Sequence, residues 1–436
     1  MEQGHGQDQD KQARTGSEPS AGGWPGRRIG SEPDTGPGYE SDPGRGDELG
    51  RRAGSELGKG VADIERMGEV DIYEWPYTRV QTPRGMRDLL PDQVKRRRAL
   101  EAALREVFAE AGYQEVETPL LEYADVVAAG NLRADEASGA TTGSFDVYRL
   151  FDPERESLVL RPDMTTPIAR LAATRLARWP RPLRLYYLAD VFRFEEVHAG
   201  RLRQFRQAGV ERIGEEADAR TGGAAESRRD AADAEIVALA VRLLTAAGLQ
   251  RFRIDIGHVG LVHALLDAGG WQPRHRRALR QALMERNQVA LQAVLAEAGT
   301  ENVSAAQQAA RWQLVELPQW CASAEIPAPA ERALSALRLP AVDRALQELH
   351  TLLQCVAAAK VPLERVGIDL GLVRDLNYYT GPVLEGFSPD LALPLLTGGR
   401  YDHLVEQFAP RPEPATGFAV GLDRLELALD RQANSR

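Results

Sequence analysis

Cysteine is almost missing from this 436-residue chain: only Cys321 and Cys355 occur, with no metal-ligand spacing around them. Neither a disulfide framework nor a thiolate zinc site is expected, no metal or cofactor is implied, and a reducing cytosol suits this composition. Long apolar runs are missing as well, and none approaches the length needed to cross a bilayer. The amino terminus, M-E-Q-G-H-G-Q-D-Q-D, has neither the basic nor the apolar region of a secretory signal. A soluble, cytoplasmic protein is expected. Positive charge is not in excess either: the formal net charge of -10 argues against a general electrostatic grip on nucleic acid and allows only a local basic groove. No G-x-x-x-x-G-K phosphate loop occurs, and no Ser or Cys nucleophile context accompanies His198 or His258. His258, in D-I-G-H-V-G, reads as a strand-end or helix-start residue.

What is present is a hydrophobic fraction of 43%, ordinary for a chain with a real core, and a length suited to two or three domains. The amino-terminal text is rich in Gly, Pro, Ser, Glu, Asp and Arg, with G-S-E-P at Gly16 and Gly30 and G-S-E-L at Gly54. It buries too little apolar surface to offset its ordering entropy, so residues 1–78 are expected to be a disordered, low-complexity tail. A second polar patch, Glu215 to Asp233, reads as a surface loop insertion.

Structured text begins near T-P-R-G-M-R-D-L-L-P at Thr82. Leu100, Ala103, Leu104, Val107, Phe108 and Ala111 recur at helical spacing, and Gly112 stops the helix. Next comes Y-Q-E-V-E-T-P-L-L-E, a short alternating strand in which Pro119 marks a sheet edge or an interface. Further strands are expected at Leu158–Leu160, Leu183–Leu188, Val191–Phe194, Phe205–Ile213, Ile254–Ile256, Val366–Leu370, Pro382–Gly386 and Gly417–Gly421. From about Leu261 to Lys360 the text changes to Ala, Leu, Gln and Arg at helical spacing, a mostly helical insertion between strands.

Four segments carry polar residues inside strand-like or turn text: R-P-D-M-T-T-P at Arg161, the hairpin V-F-R-F-E-E-V-H-A-G-R-L-R-Q-F-R-Q-A-G-V-E-R-I-G at Val191, V-R-D-L-N-Y-Y-T-G at Val373, and T-G-G-R-Y-D at Thr397. Alternate strand residues share a face, so Arg193, Arg201, Gln207, Glu211, Arg374, Arg400, Tyr378 and Tyr379 are expected over one sheet surface. Guanidinium groups bind carboxylate or phosphate, whereas Asp163 and Glu211 suit an ammonium or an imidazole N–H. A small zwitterion satisfies both sets. The bland alternatives are a charged outer face of a hairpin for the arginines and simple packing for the tyrosine pair.

These segments resemble the catalytic core of histidyl-tRNA synthetase, a class II aminoacyl-tRNA synthetase. The resemblance implies an α+β fold, an antiparallel sheet flanked by helices, with core segments at 79–260 and 361–436 around the mostly helical insertion at 261–360. The long helix with Thr118 and Pro119 resembles the dimer-forming motif 1. F-R-F-E with G-R-L-R-Q-F-R-Q-A-G-V-E resembles motif 2, where the first arginine grips an ATP phosphate and the Gln and Glu contact histidine. V-R-D-L-N-Y-Y-T-G and T-G-G-R-Y-D resemble the two histidine-specific signatures, and A-T-G-F-A-V-G-L-D-R-L resembles motif 3, with Arg424 at its arginine.

The departures are specific. The synthetase signature R-P-E-G-T appears as R-P-D-M-T, Asp375 stands in place of a Gly, and Asn377 in place of an Asp. The text stops at Arg436, so no anticodon-binding domain and no tRNA partner are expected. These features resemble the synthetase paralogue that serves as the regulatory subunit of ATP phosphoribosyltransferase. The resemblance implies a non-catalytic chain in histidine biosynthesis, required for activity of a short catalytic subunit and for feedback inhibition by L-histidine. It also implies self-association as a dimer within a hetero-octamer. Carried over residue by residue, histidine is expected near Asp163, Thr165, Arg193, Gln207, Glu211, Arg374, Tyr378 and Tyr379, with Arg201 and Arg424 keeping a phosphate or anion contact. The alternatives are a truncated histidyl-tRNA synthetase or other histidine-activating enzyme, and a dimeric scaffold that binds no ligand.

Overall fold

The computed structural model describes residues 81–131, 147–197, 200–215, 225–299, 301–373 and 378–435. The expected amino-terminal tail, His198, and Arg374 with Asp375 and Asn377 lie outside the described residues.

The first helix, α1 (Pro91–Glu110), begins with proline at its first position, and Gln93 Oε1 accepts the Leu90 N–H at 2.9 Å. It buries Leu100, Leu104, Val107 and Phe108 on one stripe, each such side chain contributing about 1.5–3 kcal/mol. Then follow β1 (Gln114–Glu115), β2 (Leu121–Tyr123), α2 (Ala124–Asn131), β3 (Arg149–Phe151), β4 (Ser157–Leu160), α3 (Thr165–Ala173), β5 (Leu183–Phe192) and β6 (Gln204–Ile213). The chain continues through α4 (Ala225–Ala246), β7 (Arg253–His258), α5 (Val259–Ala268), α6 (Pro273–Met284), α7 (Gln288–Ala298), α8 (Ala305–Glu316), β8 (Cys321–Ser323), α9 (Ala328–Ser335) and α10 (Pro340–Ala358). It closes with β9 (Val366–Asp369), β10 (Pro382–Phe387), β11 (Leu396–Arg400), β12 (Ala415–Gly421) and α11 (Leu422–Asn434).

Nine strands form one sheet in the order β1-β5-β6-β12-β11-β10-β7-β9-β8, antiparallel except for β1 with β5 and β7 with β9. A second, antiparallel sheet has the order β2-β4-β3. The class expected from sequence, α+β with a mainly antiparallel sheet and flanking helices, is therefore what the chain adopts. Among the described residues no helix is long and apolar enough to cross a membrane, and no group of side chains is placed to hold a metal ion.

Several details differ from the sequence reading. The strand expected across Pro119 is two strands in two sheets, with the proline at the crossing between β1 and β2. The expected strands at Leu183 and Val191 are one continuous β5. Gly398 and Gly399, read as a turn, lie within β11, because only glycines fit there: a Cβ on Gly398 would sit 2.3 Å from the Gly417 carbonyl oxygen. The text from Leu261 to Lys360 is helical as expected, with the short β8 added at the sheet edge. The loop expected from Glu215 to Asp233 instead becomes helix from Ala225 onward, and Asp230 and Asp233 are buried. Their polarity is used inside, not at the surface.

The register sorts side chains into two faces. Leu185, Glu211, Gly417 and Gly399 are partners across four strands, and Arg184, Arg212, Thr416 and Arg400 are the next row, pointing the other way. On the Arg212 face, Tyr186, Val210 and Phe418 join the main core with α1, α4 and the helices that follow β7. On the Glu211 face, Leu185 and Tyr187 join a smaller core with Met164, Ile168, Tyr378, Tyr379 and Tyr401.

Candidate functional site

Glu211 lies flat on the second face, only 2% exposed. Its room comes from glycine: a Cβ on Gly417, the partner in β12, would fall 2.0 Å from Glu211 Oε2. Gly209 does the same for Tyr187, whose hydroxyl would otherwise meet a Cβ at 2.4 Å. Thr165, the first residue of α3, donates its hydroxyl to Glu211 Oε1 at 2.7 Å, and the Tyr401 hydroxyl donates to Oε2. Asp163, one residue before the Met164 N-cap of α3, accepts the Thr166 N–H at 2.9 Å. Above them Tyr378 packs against Tyr379, with centroids 4.8 Å apart, and edge-on against Tyr401 at 5.6 Å.

The electrostatics follow from burial. Burial pushes the Glu211 carboxyl up to about 8; the Tyr401 and Thr165 hydrogen bonds oppose the rise and the nearby Asp163 adds to it. Burial likewise raises Asp163, against the pull of the Thr166 amide and the Arg193 guanidinium. Arg193 donates from Nε to the Pro162 carbonyl at 2.8 Å and lies 5.3 Å from the centre of the Phe205 ring. Asp163 Oδ2, Gln207 Oε1 and the Tyr187 hydroxyl are buried with no hydrogen-bond partner among the described residues. Each such orphan costs about 1–3 kcal/mol, a cost that a ligand with matching groups removes. Two carboxyls, an amide, phenols and one guanidinium together suit a small ligand bearing N–H donors and a carboxylate.

Of the residues expected here, Asp163, Thr165, Arg193, Gln207, Glu211, Tyr378 and Tyr379 are gathered on or over this face, and Arg374 lies outside the described residues. Arg201 is elsewhere, on the hairpin, paired with Glu195 at 3.1 Å. Arg424 donates to the carbonyls of Gly200 and Pro394, both at 2.8 Å, and so ties the hairpin turn to the segment before β11. Arg400, expected on this face, points to the opposite one, because it is one residue out of phase with Glu211's row. There it is held by Asp233 at 2.8 Å, Asp230 at 2.9 Å and Glu348 at 2.8 Å. That side also holds a cavity of about 320 Å³, where Glu235 pairs with Arg184 and Arg212 and Glu215 with Arg228 and Arg229. His258 ends β7 and caps α5 through Nδ1, with Glu348 3.2 Å from Nε2, the structural role read for it. Sequence reasoning missed Tyr401 and Tyr187. Alternation places Tyr401 on the opposite face from Arg400, but which of the two shares the Glu211 face is decided by the pairing of β11 with β10 and β12.

Comparisons with known proteins agree on one lineage. A family model described as histidyl-tRNA synthetase matches residues 85–425. The ATP phosphoribosyltransferase regulatory subunit of Symbiobacterium thermophilum is 42% identical over 361 residues, 82% of either chain. That of Moorella thermoacetica is 40% identical over 350 residues, 80% of this chain and 82% of its own. A crystal structure from Bacillus halodurans, described as an ATP phosphoribosyltransferase regulatory subunit/histidyl-tRNA synthetase, superposes with a TM-score of 0.66 at 35% identity, covering 81% of this chain and 84% of its own. On this sequence match and shared fold, the chain belongs to the family of ATP phosphoribosyltransferase regulatory subunits, built on the histidyl-tRNA synthetase core.

Proposed function

We propose that the chain acts in cytoplasmic histidine biosynthesis as the non-catalytic regulatory subunit of ATP phosphoribosyltransferase, and that the Glu211 cluster is its histidine sensor. The observation that carries the sensor is the buried pair Asp163 and Glu211, surrounded by polar atoms that find no partner among the described residues. Histidine would bring its ammonium and imidazole N–H to the two carboxyls and its carboxylate toward Arg193, with Thr165, Gln207, Tyr378 and Tyr379 lining the site and Arg374 contributing a second cation. Arg201 already pairs with Glu195 and Arg424 with two backbone carbonyls, so a phosphate would compete with these contacts, which favours histidine without a neighbouring nucleotide. On this reading residues 79–260 and 361–436 make the core and 261–360 the insertion.

The subunit would join a short catalytic partner, itself dimerising within a hetero-octamer. The exposed Leu120, Leu121, Tyr123 and Phe151 on and beside the small sheet support a self-contact there. Feedback needs histidine to favour the inhibited assembly by only about 1–3 kcal/mol. The test is to mix this chain with the short catalytic subunit and measure phosphoribosyl-ATP formation with and without histidine. Activation by the chain and its loss on adding histidine are expected. No activation would overturn the regulatory assignment, and histidine-dependent exchange of pyrophosphate into ATP by the chain alone would overturn the non-catalytic one.

A further inference from the structure

The sensor face buries two acids, and the hydrogen bonds that reach Glu211 come from hydroxyls. Among the described residues Glu211 receives the Thr165 and Tyr401 hydroxyls, and the other groups facing it are Asp163, Tyr187 from β5 and Tyr378. Tyr379 acts on Tyr187 and Tyr378, and Arg193 sits on the Asp163 side, its Nε occupied by the Pro162 carbonyl. Gly417 and Gly209 leave the space in which the Glu211 carboxyl and the Tyr187 phenol lie against the neighbouring strands, and Glu211 is buried there. For both acids burial outweighs the hydrogen bonds they accept, and for Asp163 also the Arg193 charge, so neutralisation by a proton is the favoured outcome.

We propose that the empty site holds one proton on the Asp163–Glu211 pair and releases it to solvent when a ligand's ammonium group arrives, so that the sensor reads cationic amines and couples histidine binding to proton release. This rests on the assignment of the face as a histidine site. The bookkeeping is simple: a neutral carboxyl becomes a carboxylate, the proton leaves to buffer, and the incoming positive charge replaces it. A ligand whose amine is acylated brings no charge to replace the proton, so N-acetylhistidine should bind far more weakly. With the Glu211 carboxyl titrating near 8, the apparent affinity rises with pH until that value and then levels off. Below it the slope approaches about tenfold per pH unit, the value for one proton released per ligand bound.

The test is calorimetric titration of the full chain with L-histidine, between about pH 6.5 and pH 8, in two buffers of different ionisation enthalpy. Release approaching one proton at the acidic end, tighter binding as pH rises, and loss of both in Glu211→Gln are expected. The same buffer dependence in Glu211→Gln would assign the proton to the ligand's own imidazole and overturn the proposal. Binding with equal heat in both buffers and a flat affinity would also overturn it while leaving the histidine site intact. No binding at any pH would remove the site itself. If Glu211→Gln fails to fold, wild-type chain titrated with histidine methyl ester, which keeps the amine, and with N-acetylhistidine decides the matter: equal proton release from both contradicts the coupling.

Discussion

Glu211 is an acid whose surroundings favour its neutral form, and that has a consequence for stability. Unfolded, it loses its proton near 4.5; folded, near 8. Below the lower value both states are protonated and the fold keeps its full stability. Between the two the unfolded chain binds fewer protons, so stability falls as pH rises and the loss is complete above the upper value. Ligand-free chain should therefore unfold at progressively lower urea concentration from about pH 5 to pH 8, and Glu211→Gln should flatten that trend. A rising midpoint across the window would contradict the assignment. Two glycines supply a second check. Gly417→Ala places a Cβ 2.0 Å from Glu211 Oε2 and 2.3 Å from the Val210 carbonyl oxygen, while a Cβ on Gly112 (φ +79) meets nothing within 4 Å. The first should cost about 1–3 kcal/mol and disturb histidine binding; the second should cost about 1 kcal/mol, from backbone strain alone, and leave binding unchanged. Denaturant unfolding and calorimetry on both variants separate the two.

At the scale of elements, β11 and α4 are joined by charge. Asp230 and Asp233 of α4 hold Arg400 of β11, with Glu348 of α10 closing the group. Removing one partner from a buried ion group leaves the rest uncompensated, so Asp233→Ala should destabilise the fold by about 3–5 kcal/mol, read from the urea midpoint. A loss below 1 kcal/mol, as for an exposed pair, would show the group to be solvated. This group also explains where sequence reading succeeded and failed. α1 is legible because its apolar stripe from Leu100 to Phe108 and its stop at Gly112 are local, and β6 and β12 are legible from alternation. The start of α4 was read as loop because its aspartates look solvated in text; their partner is 167 to 170 residues away. The same blindness put Arg400 on the wrong face, since the phase of β11 is set by its pairing to β10 and β12 and not by its own sequence. Asp163 and Glu211 were read together from their chemistry, as acids suited to an ammonium or an imidazole N–H, although 48 residues separate them; their burial was not legible, because it depends on pairing with distant strands.

For the whole molecule, sensing and assembly ought to be separable. Glu211→Ala should weaken histidine inhibition at least about tenfold while leaving association with the catalytic subunit nearly unchanged, because it leaves the ligand's cationic groups unpaired in a site away from the surface. Inhibition assays beside sedimentation of the mixed subunits would show it, and equal loss of both would make Glu211 structural. Leu121→Asp, on the small sheet, should do the reverse and shift the chain toward monomer at micromolar concentration. The sheet itself ties these behaviours together. In the pairs Glu211–Arg212 and Arg400–Tyr401, consecutive residues serve opposite sides of a single layer. A plank that carries the sensor on its front and its fastening on its back cannot be loosened on one side only. A ligand seated beside Tyr401 would press on the chain next to Arg400, the residue that α4 and α10 hold.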